Sequence, residues 1–138
     1  MTGTAPHAHV VVWISGEDVL LIRRVRRGRV NYLAPGVAVA EVETPGVAAG
    51  RAARTLFGIE AAVGEVLHAQ VFAGVDHFFF AARALSEFDD SVELPESDDF
   101  ELDGELDGTF EIARLPATTL LAYDVRPWAL ARSVARSS

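Results

Sequence analysis

Hydrophobic residues cluster along the chain in two pairs of segments that are typical of β-hairpins. The first pair is His9–Ile14 and Val19–Ile22, which flank the turn-forming residues 15–18. The second pair is Gly64–Ala73 and His77–Leu85, joined by a short turn that contains glycine. Both pairs are rich in β-branched and aromatic residues, which favour strands. We therefore predict two β-hairpins.

The segment between the hairpins carries the signals of a helix at both of its ends. Thr44 suits the N-cap, a proline suits the first helical position, and Gly58 suits the C-terminal cap. Alanine, leucine and phenylalanine recur between them at i, i+4 spacing, which gives a broad apolar face. We predict a helix over Pro45–Phe57. Further along, we predict a short strand at Thr109–Ala113 and a C-terminal helix at Arg126–Ala135.

The segment after the first hairpin is rich in arginine. All twelve basic residues of the chain are arginine, and five of them fall between positions 23 and 29. We predict that this segment is a loop, closed by residues 31–33. Guanidinium groups bind phosphate or carboxylate bidentately, aromatic rings stack on bases, and histidine exchanges protons near neutral pH. The candidate ligand-binding residues are Arg23, Arg24, Arg27, Arg29, Tyr32 and His77. The alternative is a solvated loop whose arginines pair with acidic residues, and a strand-end histidine without chemistry.

Length, charge and cysteine content limit the classes of function that the protein can have. At 138 residues the chain is predicted to form a single domain, residues 1–138. No apolar run approaches the ~20 residues that cross a bilayer, and the N-terminus lacks the features of a secretory signal. The net charge of −8 argues against nucleic-acid and anionic-membrane binding. With no cysteine there is no disulfide, so we expect a cytoplasmic protein.

Residues 34–59, APGVAVAEVETPGVAAGRAARTLFGI, resemble the Nudix box of the MutT-like Nudix hydrolase superfamily. The box consists of Gly, five residues, Glu, seven residues and then Arg-Glu-U-x-Glu-Glu-x-Gly-U, where U is a bulky apolar residue. Laid on the chain without gaps, it matches Glu43, Arg51, Gly58 and Ile59. Gly36 corresponds to the glycine that precedes the box.

The glutamates of the box that bind metal are missing from this chain. Their positions are taken by Ala52, Thr55 and Leu56. Positions i, i+3 and i+4 share one helix face, so in the family they present three carboxylates together. Such a cluster holds Mg²⁺ or Mn²⁺, which neutralises a pyrophosphate and activates a water. Because none of the three replacements is an anionic ligand, we predict no metal and no cofactor at this helix.

The resemblance implies an α/β protein with the Nudix fold, an α/β/α sandwich around a mixed β-sheet with one box helix and a C-terminal helix. It also implies that Glu43 and Arg51 tie the loop to the helix and that Gly58 ends the helix. Gly36 is interpreted as a turn glycine with an unusual backbone angle. All four residues are predicted to be structural, and no catalytic residue is assigned.

Two functions fit these observations. The first is a Nudix-superfamily protein that lacks the usual Mg²⁺-dependent hydrolysis and acts as a ligand-binding or regulatory pseudo-hydrolase for a nucleotide or another phosphorylated small molecule. The alternative is an active Nudix-type hydrolase that takes its carboxylates, and Mg²⁺ or Mn²⁺, from the acidic segment 87–107. Its candidate ligands are Asp89, Asp90, Glu93, Glu96, Asp98 and Asp99. A weaker third hypothesis is an interaction module that forms a homodimer.

Overall fold

The computed structural model describes residues 5–94 and 108–137 of the chain. The strands of these residues are β1 His7–Ser15, β2 Asp18–Arg26, β3 Arg29–Leu33, β4 Gly36–Ala38, β5 Ala61–Phe72, β6 Val75–Ala84, β7 Thr109–Pro116 and β8 Val125–Arg126. The helices are α1 Pro45–Phe57 and α2 Trp128–Arg136, with a 3-10 helix at Ala117–Ala122.

The strands form one mixed, curled sheet in the order β5-β6-β1-β2-β3-β8. Strand β1 lies in the middle, parallel to β6 and antiparallel to β2. Strand β4 pairs with the beginning of β1, and β7 pairs with almost the whole of β2. The beginning of β1 therefore lies between β4 and β6. This arrangement places His7 opposite His77 and His9 opposite Gly36.

Each face of the sheet is covered by a helix, because alternate side chains of the central strands point to opposite faces. On one face, Val10 and Leu20 pack in a buried cluster with α1. On the other, Val11 and Leu21 pack in a second buried cluster with α2 and the 3-10 helix. The predicted α/β class and the three-layer sandwich around a mixed sheet are confirmed.

Helix α1 has the predicted ends. The Thr44 hydroxyl accepts a hydrogen bond from the Val47 N–H (3.2 Å), and Pro45 opens the first turn. Gly58 closes the helix in the left-handed region, with φ 69°, and its N–H donates to the Arg54 carbonyl (3.1 Å). Local capping chemistry therefore sets both ends of this helix.

The predicted hairpins are also present, with shifted ends. The second hairpin begins at Ala61 rather than Gly64, and the strand predicted at Thr109–Ala113 extends to Pro116. Helix α2 starts at Trp128, so it is shorter at its N-terminus than predicted. Among the described residues, neither helix is long and apolar enough to pass through a bilayer.

The prediction that the arginine-rich segment is a loop was wrong. Strand β2 continues to Arg26, turns at Arg27 and Gly28, and returns as β3. Both turn residues have positive φ, 52° and 75°. The glycine accounts for the reversal, because it adopts this conformation without steric cost. Arginine side chains remain compatible with strands, since their guanidinium groups reach solvent or partners beyond the sheet.

Candidate functional site

The loop before α1 is fastened to the helix by Glu43 and Arg51. Arg51 Nε donates to Glu43 Oε2 (2.9 Å), and Arg51 Nη2 donates to Glu43 Oε1 (2.8 Å). The same Nη2 donates to the Ala38 carbonyl (2.9 Å), and the Ala40 N–H donates to Glu43 Oε1 (2.9 Å). The bidentate pair thus closes the loop over the first turns of the helix.

These contacts hold Glu43 in its ionised form. The hydrogen bonds from Arg51, and then the one from the Ala40 N–H, lower the pKa of Glu43 to about 2. A carboxylate this acidic is a poor general base at neutral pH, because it has little affinity for a proton. The geometry therefore fits the predicted structural role of Glu43 and Arg51.

The helix face behind this pair is apolar and closed. Ala52 and Leu56 are fully buried in the cluster between α1 and the sheet, whereas Thr55 is exposed. At the end of the helix, the Phe88 ring meets the Phe57 ring edge to face, with centroids 6.5 Å apart. Positions 52 and 56 therefore contribute core packing rather than a ligand site.

Gly36 contacts the opposite face of the sheet, where His9 lies. A Cβ atom at position 36 would lie 2.4 Å from His9 Nδ1 and 2.8 Å from the Ala8 carbonyl oxygen. The backbone φ angle of Gly36 is not positive. The interpretation of Gly36 as a glycine with an unusual backbone angle was therefore wrong, because the glycine is required by close packing against His9.

His9 and His77 form a buried hydrogen-bonded pair. His9 Nε2 lies 2.8 Å from His77 Nδ1, and His9 Nδ1 lies 3.1 Å from the Ala34 carbonyl oxygen. The His9 ring stacks on Phe79 with centroids 4.3 Å apart. Burial, reinforced by the neighbouring His77 and His7, lowers the pKa of His9 to about 3. His9 is therefore neutral at physiological pH.

A small cavity of about 120 Å³ opens beside this pair. Its walls are mainly apolar and aromatic, with one guanidinium at its margin. The lining residues are His9, Leu33, Ala34, Gln70, Phe72, His77, Phe79, Arg126 and Pro127. We call it the histidine cavity. Ligand sites usually occupy ~300 Å³ or more, so this cavity alone has room for only part of a ligand.

A second cavity, of about 370 Å³, is lined by arginines at the end of the β2–β3 hairpin. We call it the arginine cavity, and its lining residues are Arg26, Arg27, Arg29, Asn31 and Arg126. Arg126 borders both cavities, and its guanidinium is hydrogen bonded to Asp124 (Nε to Oδ1, 2.8 Å). An aromatic cavity with a histidine pair thus adjoins a cationic one.

The structure brings together only some of the residues predicted to bind ligand. His77 lines the histidine cavity, and Arg27 and Arg29 line the arginine cavity. Arg24 is fully buried, where its Nε donates to Asn31 Oδ1 (2.8 Å). Arg23 is placed elsewhere, since its Nη1 donates to Glu111 Oε1 (2.8 Å).

Tyr32 lies apart from both cavities. Its ring packs against Tyr123 in a T-shaped contact at 5.3 Å, and its hydroxyl is hydrogen bonded to the Arg23 side chain. Tyr32 and Arg23 therefore have structural partners in place of a cavity position. The alternative of arginines pairing with acidic residues applies to Arg23, through Glu111.

No protein-family model matches the sequence, and no curated protein matches it at significant similarity. Solved structures do match over nearly the whole chain. A NUDIX-family hydrolase from Clostridium perfringens has a TM-score of 0.66 at 14% identity and covers 99% of both chains.

Two further structures agree with that match. The E. coli ORF135 protein has a TM-score of 0.60 at 17% identity, and the match covers 96% of this chain and 89% of that one. A MutT structure, from work on Aliivibrio salmonicida and Vibrio cholerae, has a TM-score of 0.62 at 14% identity, with 96% and 99% covered. The chain has the Nudix fold.

The Nudix fold raises the question of whether the box helix can hold a divalent metal, and the residues present do not fit one. Mg²⁺ and Mn²⁺ need several oxygen ligands, usually carboxylates. Ala52 and Leu56 offer methyl groups that are fully buried, and Thr55 offers one hydroxyl on an exposed position. The helix therefore lacks the ligand set that a divalent metal needs.

The acidic segment of this Nudix-fold protein is described only as far as residue 94. Asp90 and Glu93 line a cavity of about 500 Å³ together with Glu111 and Arg114. Asp89 instead accepts hydrogen bonds from the Ser91 N–H and hydroxyl, 2.9 and 2.7 Å away. In residues 5–94 and 108–137, no three His, Asp or Glu side chains are grouped so as to bind a metal.

The remaining candidates Glu96, Asp98 and Asp99 lie outside the described residues. Sequence reasoning also missed several residues that line the histidine cavity, above all His9, Phe79 and Arg126. His9 and Phe79 were assigned to predicted strands without a role, because strand pattern does not reveal which strands pair. Their conjunction with His77 follows from the parallel register of β1 and β6.

Proposed function

We propose that this Nudix-fold protein binds a small anionic molecule that carries a ring, such as a nucleotide or another phosphorylated metabolite, and does not hydrolyse it through the box helix. The observation that carries this proposal is the position of Arg126 on the border of both cavities. A ring fits among the aromatic and imidazole side chains, and phosphate groups fit the guanidinium groups beside them.

The chemistry of the helix supports the proposed absence of metal-dependent hydrolysis. All three metal-binding glutamates are replaced, and two of the replacements are part of the hydrophobic core. Phosphate binding by arginine needs no metal, because the guanidinium supplies both charge and directed donors. The ligand site and the former metal site are therefore separable in this molecule.

A binding experiment tests this proposal. Isothermal titration with ADP, ADP-ribose and pyrophosphate, with and without Mg²⁺, should show metal-independent binding of the two adenine compounds. Arg29→Gln removes one guanidinium from the arginine cavity and should weaken ADP-ribose binding about tenfold or more, the usual effect of losing a charge-assisted hydrogen bond. Arg54→Gln is the matched control, because Arg54 is exposed and lies outside both cavities. Its Nη1 is 3.6 Å from Glu60 Oε2.

The outcome that overturns the proposal is equally specific. Mg²⁺-dependent turnover of ADP-ribose well above background, or equal weakening of binding by Arg29→Gln and Arg54→Gln, contradicts it. Absence of binding by all three compounds also counts against it. The assay should follow AMP and ribose 5-phosphate released from ADP-ribose by chromatography, so that slow hydrolysis is distinguished from binding.

A second candidate function is hydrolysis by carboxylates of the acidic segment. One observation favours it: Asp90, Glu93 and Glu111 line a common cavity. If this function holds, Mn²⁺ should bind by calorimetry, and the double variant Asp90→Asn/Glu93→Gln should abolish both binding and turnover. Unchanged turnover in that variant would contradict hydrolysis by the carboxylates of the acidic segment.

Self-association is a third proposal, and strand β5 is the surface that supports it. β5 forms an edge of the sheet path, contains no arginine, and exposes Val66, Val71 and Phe72. The same edge of a second copy offers matching backbone donors and acceptors in antiparallel orientation. Sedimentation equilibrium should detect a dimer that Val71→Lys weakens and the control Val42→Lys, at an exposed loop position, leaves intact. A monomer at every concentration contradicts the proposal.

A further inference from the structure

A further cavity, of about 560 Å³, lies near the end of β1 that is remote from the histidine cavity. We call it the tryptophan cavity, because Trp13 forms its aromatic wall, and its charged lining residues are Glu17, Glu65 and Arg83. Trp13 lies four residues after His9 on β1, roughly 13 Å along a strand. The tryptophan cavity shares no lining residue with the histidine or arginine cavity. Its volume falls in the usual range of small-molecule sites, about 300–1,000 Å³.

Two irregularities in strand pairing occur beside this cavity. The register of β1 with β2 shifts between Trp13 and Ser15, and the register of β5 with β6 shifts between Val63 and Val66. In each place one strand has an extra residue, which bends it and redirects its side chains, and such bulges are common beside functional sites. Glu65 lies within the second bulge, so the irregular pairing places its side chain at the cavity.

Small side chains leave the tryptophan cavity open. Its wall includes glycines and alanines at positions 16, 62, 64, 81 and 82. Apart from chain neighbours, no atom lies within 4 Å of a Cβ atom added at Gly16, and at Gly64 only the Ala81 carbonyl oxygen does, at 3.6 Å. The wall therefore offers apolar contact area without filling the space, next to the flat indole of Trp13.

Charges of both signs line the tryptophan cavity without neutralising each other. Arg83, Glu17 and Glu65 are exposed, and within residues 5–94 and 108–137 none of their side chains forms an ion pair or a hydrogen bond. The adjacent Asp18 differs, because its Oδ2 accepts from Arg114 Nε (2.8 Å). A guanidinium and two carboxylates that stay apart around one cavity are complementary to a ligand that carries both charges.

We propose that the tryptophan cavity is a second ligand site, which binds a small zwitterion with an apolar body, of the class of the apolar α-amino acids. Arg83 binds the carboxylate of the ligand through two guanidinium N–H donors. Glu17 and Glu65 accept hydrogen bonds from its ammonium group. The apolar body packs on Trp13 and the alanines. This site is independent of the proposed nucleotide site, because the two have no residue in common.

Fluorescence of Trp13 reports binding at this site directly. The chain has two tryptophans, and Trp128 is exposed, so Trp128→Phe leaves Trp13 as the single reporter. L-leucine should change its emission in a saturable way in the millimolar range or below. Two analogues each lack one charge: 4-methylpentanoate has no ammonium, and 3-methylbutylamine has no carboxylate. Each should bind about tenfold more weakly than L-leucine or worse, because one charge-assisted contact is lost.

Charge-removing variants should divide the analogues. Arg83→Gln should weaken L-leucine about tenfold and leave 3-methylbutylamine unchanged. The double variant Glu17→Gln/Glu65→Gln should weaken L-leucine and 3-methylbutylamine and leave 4-methylpentanoate unchanged. The matched controls are Arg54→Gln and Glu60→Gln, which alter exposed charges outside this cavity and should bind all three compounds as the parent does.

Several results would overturn this proposal. They are absence of binding by L-leucine, L-valine and L-phenylalanine alike, analogues that bind as tightly as L-leucine, and calorimetric binding of L-leucine without a response of Trp13. Equal affinities of Arg83→Gln and Arg54→Gln for L-leucine would contradict it as well. Failure of the nucleotide proposal is separate, because ADP-ribose should neither change Trp13 emission nor lose affinity in Arg83→Gln.

Discussion

The box region and the histidine cavity meet at Gly36, but their polar groups have opposite surroundings. In the box region, Glu43 and Arg51 form a bidentate ion pair close to solvent, and the pair is charged. In the histidine cavity, His9 is buried and neutral between a carbonyl and His77. The first arrangement is complete within the protein. The second borders a cavity, so a bound ligand would contact its imidazole rings.

This contrast separates the structural contacts of the box region from the helix positions proposed to lack metal ligands. The loop and helix of the box retain their cap, their ion pair and their terminal glycine, because each of these stabilises the fold without a metal. Ala52 and Leu56 fill the core, so a carboxylate at either position is expected to be costly.

The largest expected effect on the free energy of unfolding comes from placing a carboxylate on the buried face of the helix. Leu56→Glu places a carboxylate in a fully buried position and removes the apolar packing there. We expect a loss of about 4 kcal/mol or more in the free energy of unfolding, measured by urea denaturation. Thr55→Glu, on the adjacent exposed position, should change stability by only about 0.5 kcal/mol. Similar stability of the two variants would show that the helix face is open, contrary to the structure.

The second-largest effect on stability is expected at Gly36, where the box region meets the histidine cavity. Gly36→Ala forces a Cβ against His9 and the Ala8 carbonyl, so we expect a loss of about 3 kcal/mol, at the upper end of the range for overpacking. Removing the ring in the double variant Gly36→Ala/His9→Ala should recover part of that loss in a double-mutant cycle. Strict additivity of the two single changes would argue that Gly36 and His9 do not contact each other.

A third prediction concerns acid stability of the cavity region. The folded-state pKa of His9, about 3, lies below its ordinary value of 6.5, so the unfolded chain takes up the proton first. The contribution of His9 to stability is full above pH 6.5 and is lost progressively as the pH falls towards 3. At about pH 5 the loss amounts to about 2 kcal/mol.

His9→Gln tests this directly, because glutamine can donate to Ala34 but does not titrate. Urea denaturation between about pH 7 and about pH 5 should show a flatter stability profile for His9→Gln than for the wild type. The variant is expected to be less stable than the wild type at neutral pH. Parallel profiles for the two proteins would assign the acid sensitivity to another group.

The smallest effect belongs to the box region, and it occurs at lower pH. The folded-state pKa of Glu43, about 2, lies below its ordinary value of 4.5. The stability that Glu43 contributes is present above pH 4.5 and is lost as the pH falls towards 2. Glu43→Gln should therefore lower stability by a constant amount above about pH 4.5 and change the slope of the profile only below it, whereas His9→Gln changes the slope above that value as well. If both variants changed the slope of the stability profile in the same pH range, the predicted difference in acid sensitivity between the two regions would be wrong.

Local sequence signals were sufficient to predict the box helix and the two hairpins. Thr44, Pro45 and Gly58 define the ends of α1 through contacts within a few residues of each other. The turn at Arg27 and Gly28 was missed because the charged segment 23–29 was predicted to be a loop, although strands accept arginines whose side chains extend to their partners.

The sequence by itself determined the absence of box carboxylates, the helix that carries their positions and the separation of charge along the chain. Only the tertiary structure decided that His9 meets His77, 68 residues away, and that Arg126 joins two cavities. It also decided that Gly36 is required by a neighbouring ring and not by its backbone angle. The physical reason is that caps and turns depend on neighbours in sequence, whereas strand register, and every contact that depends on it, is set by packing of the whole sheet.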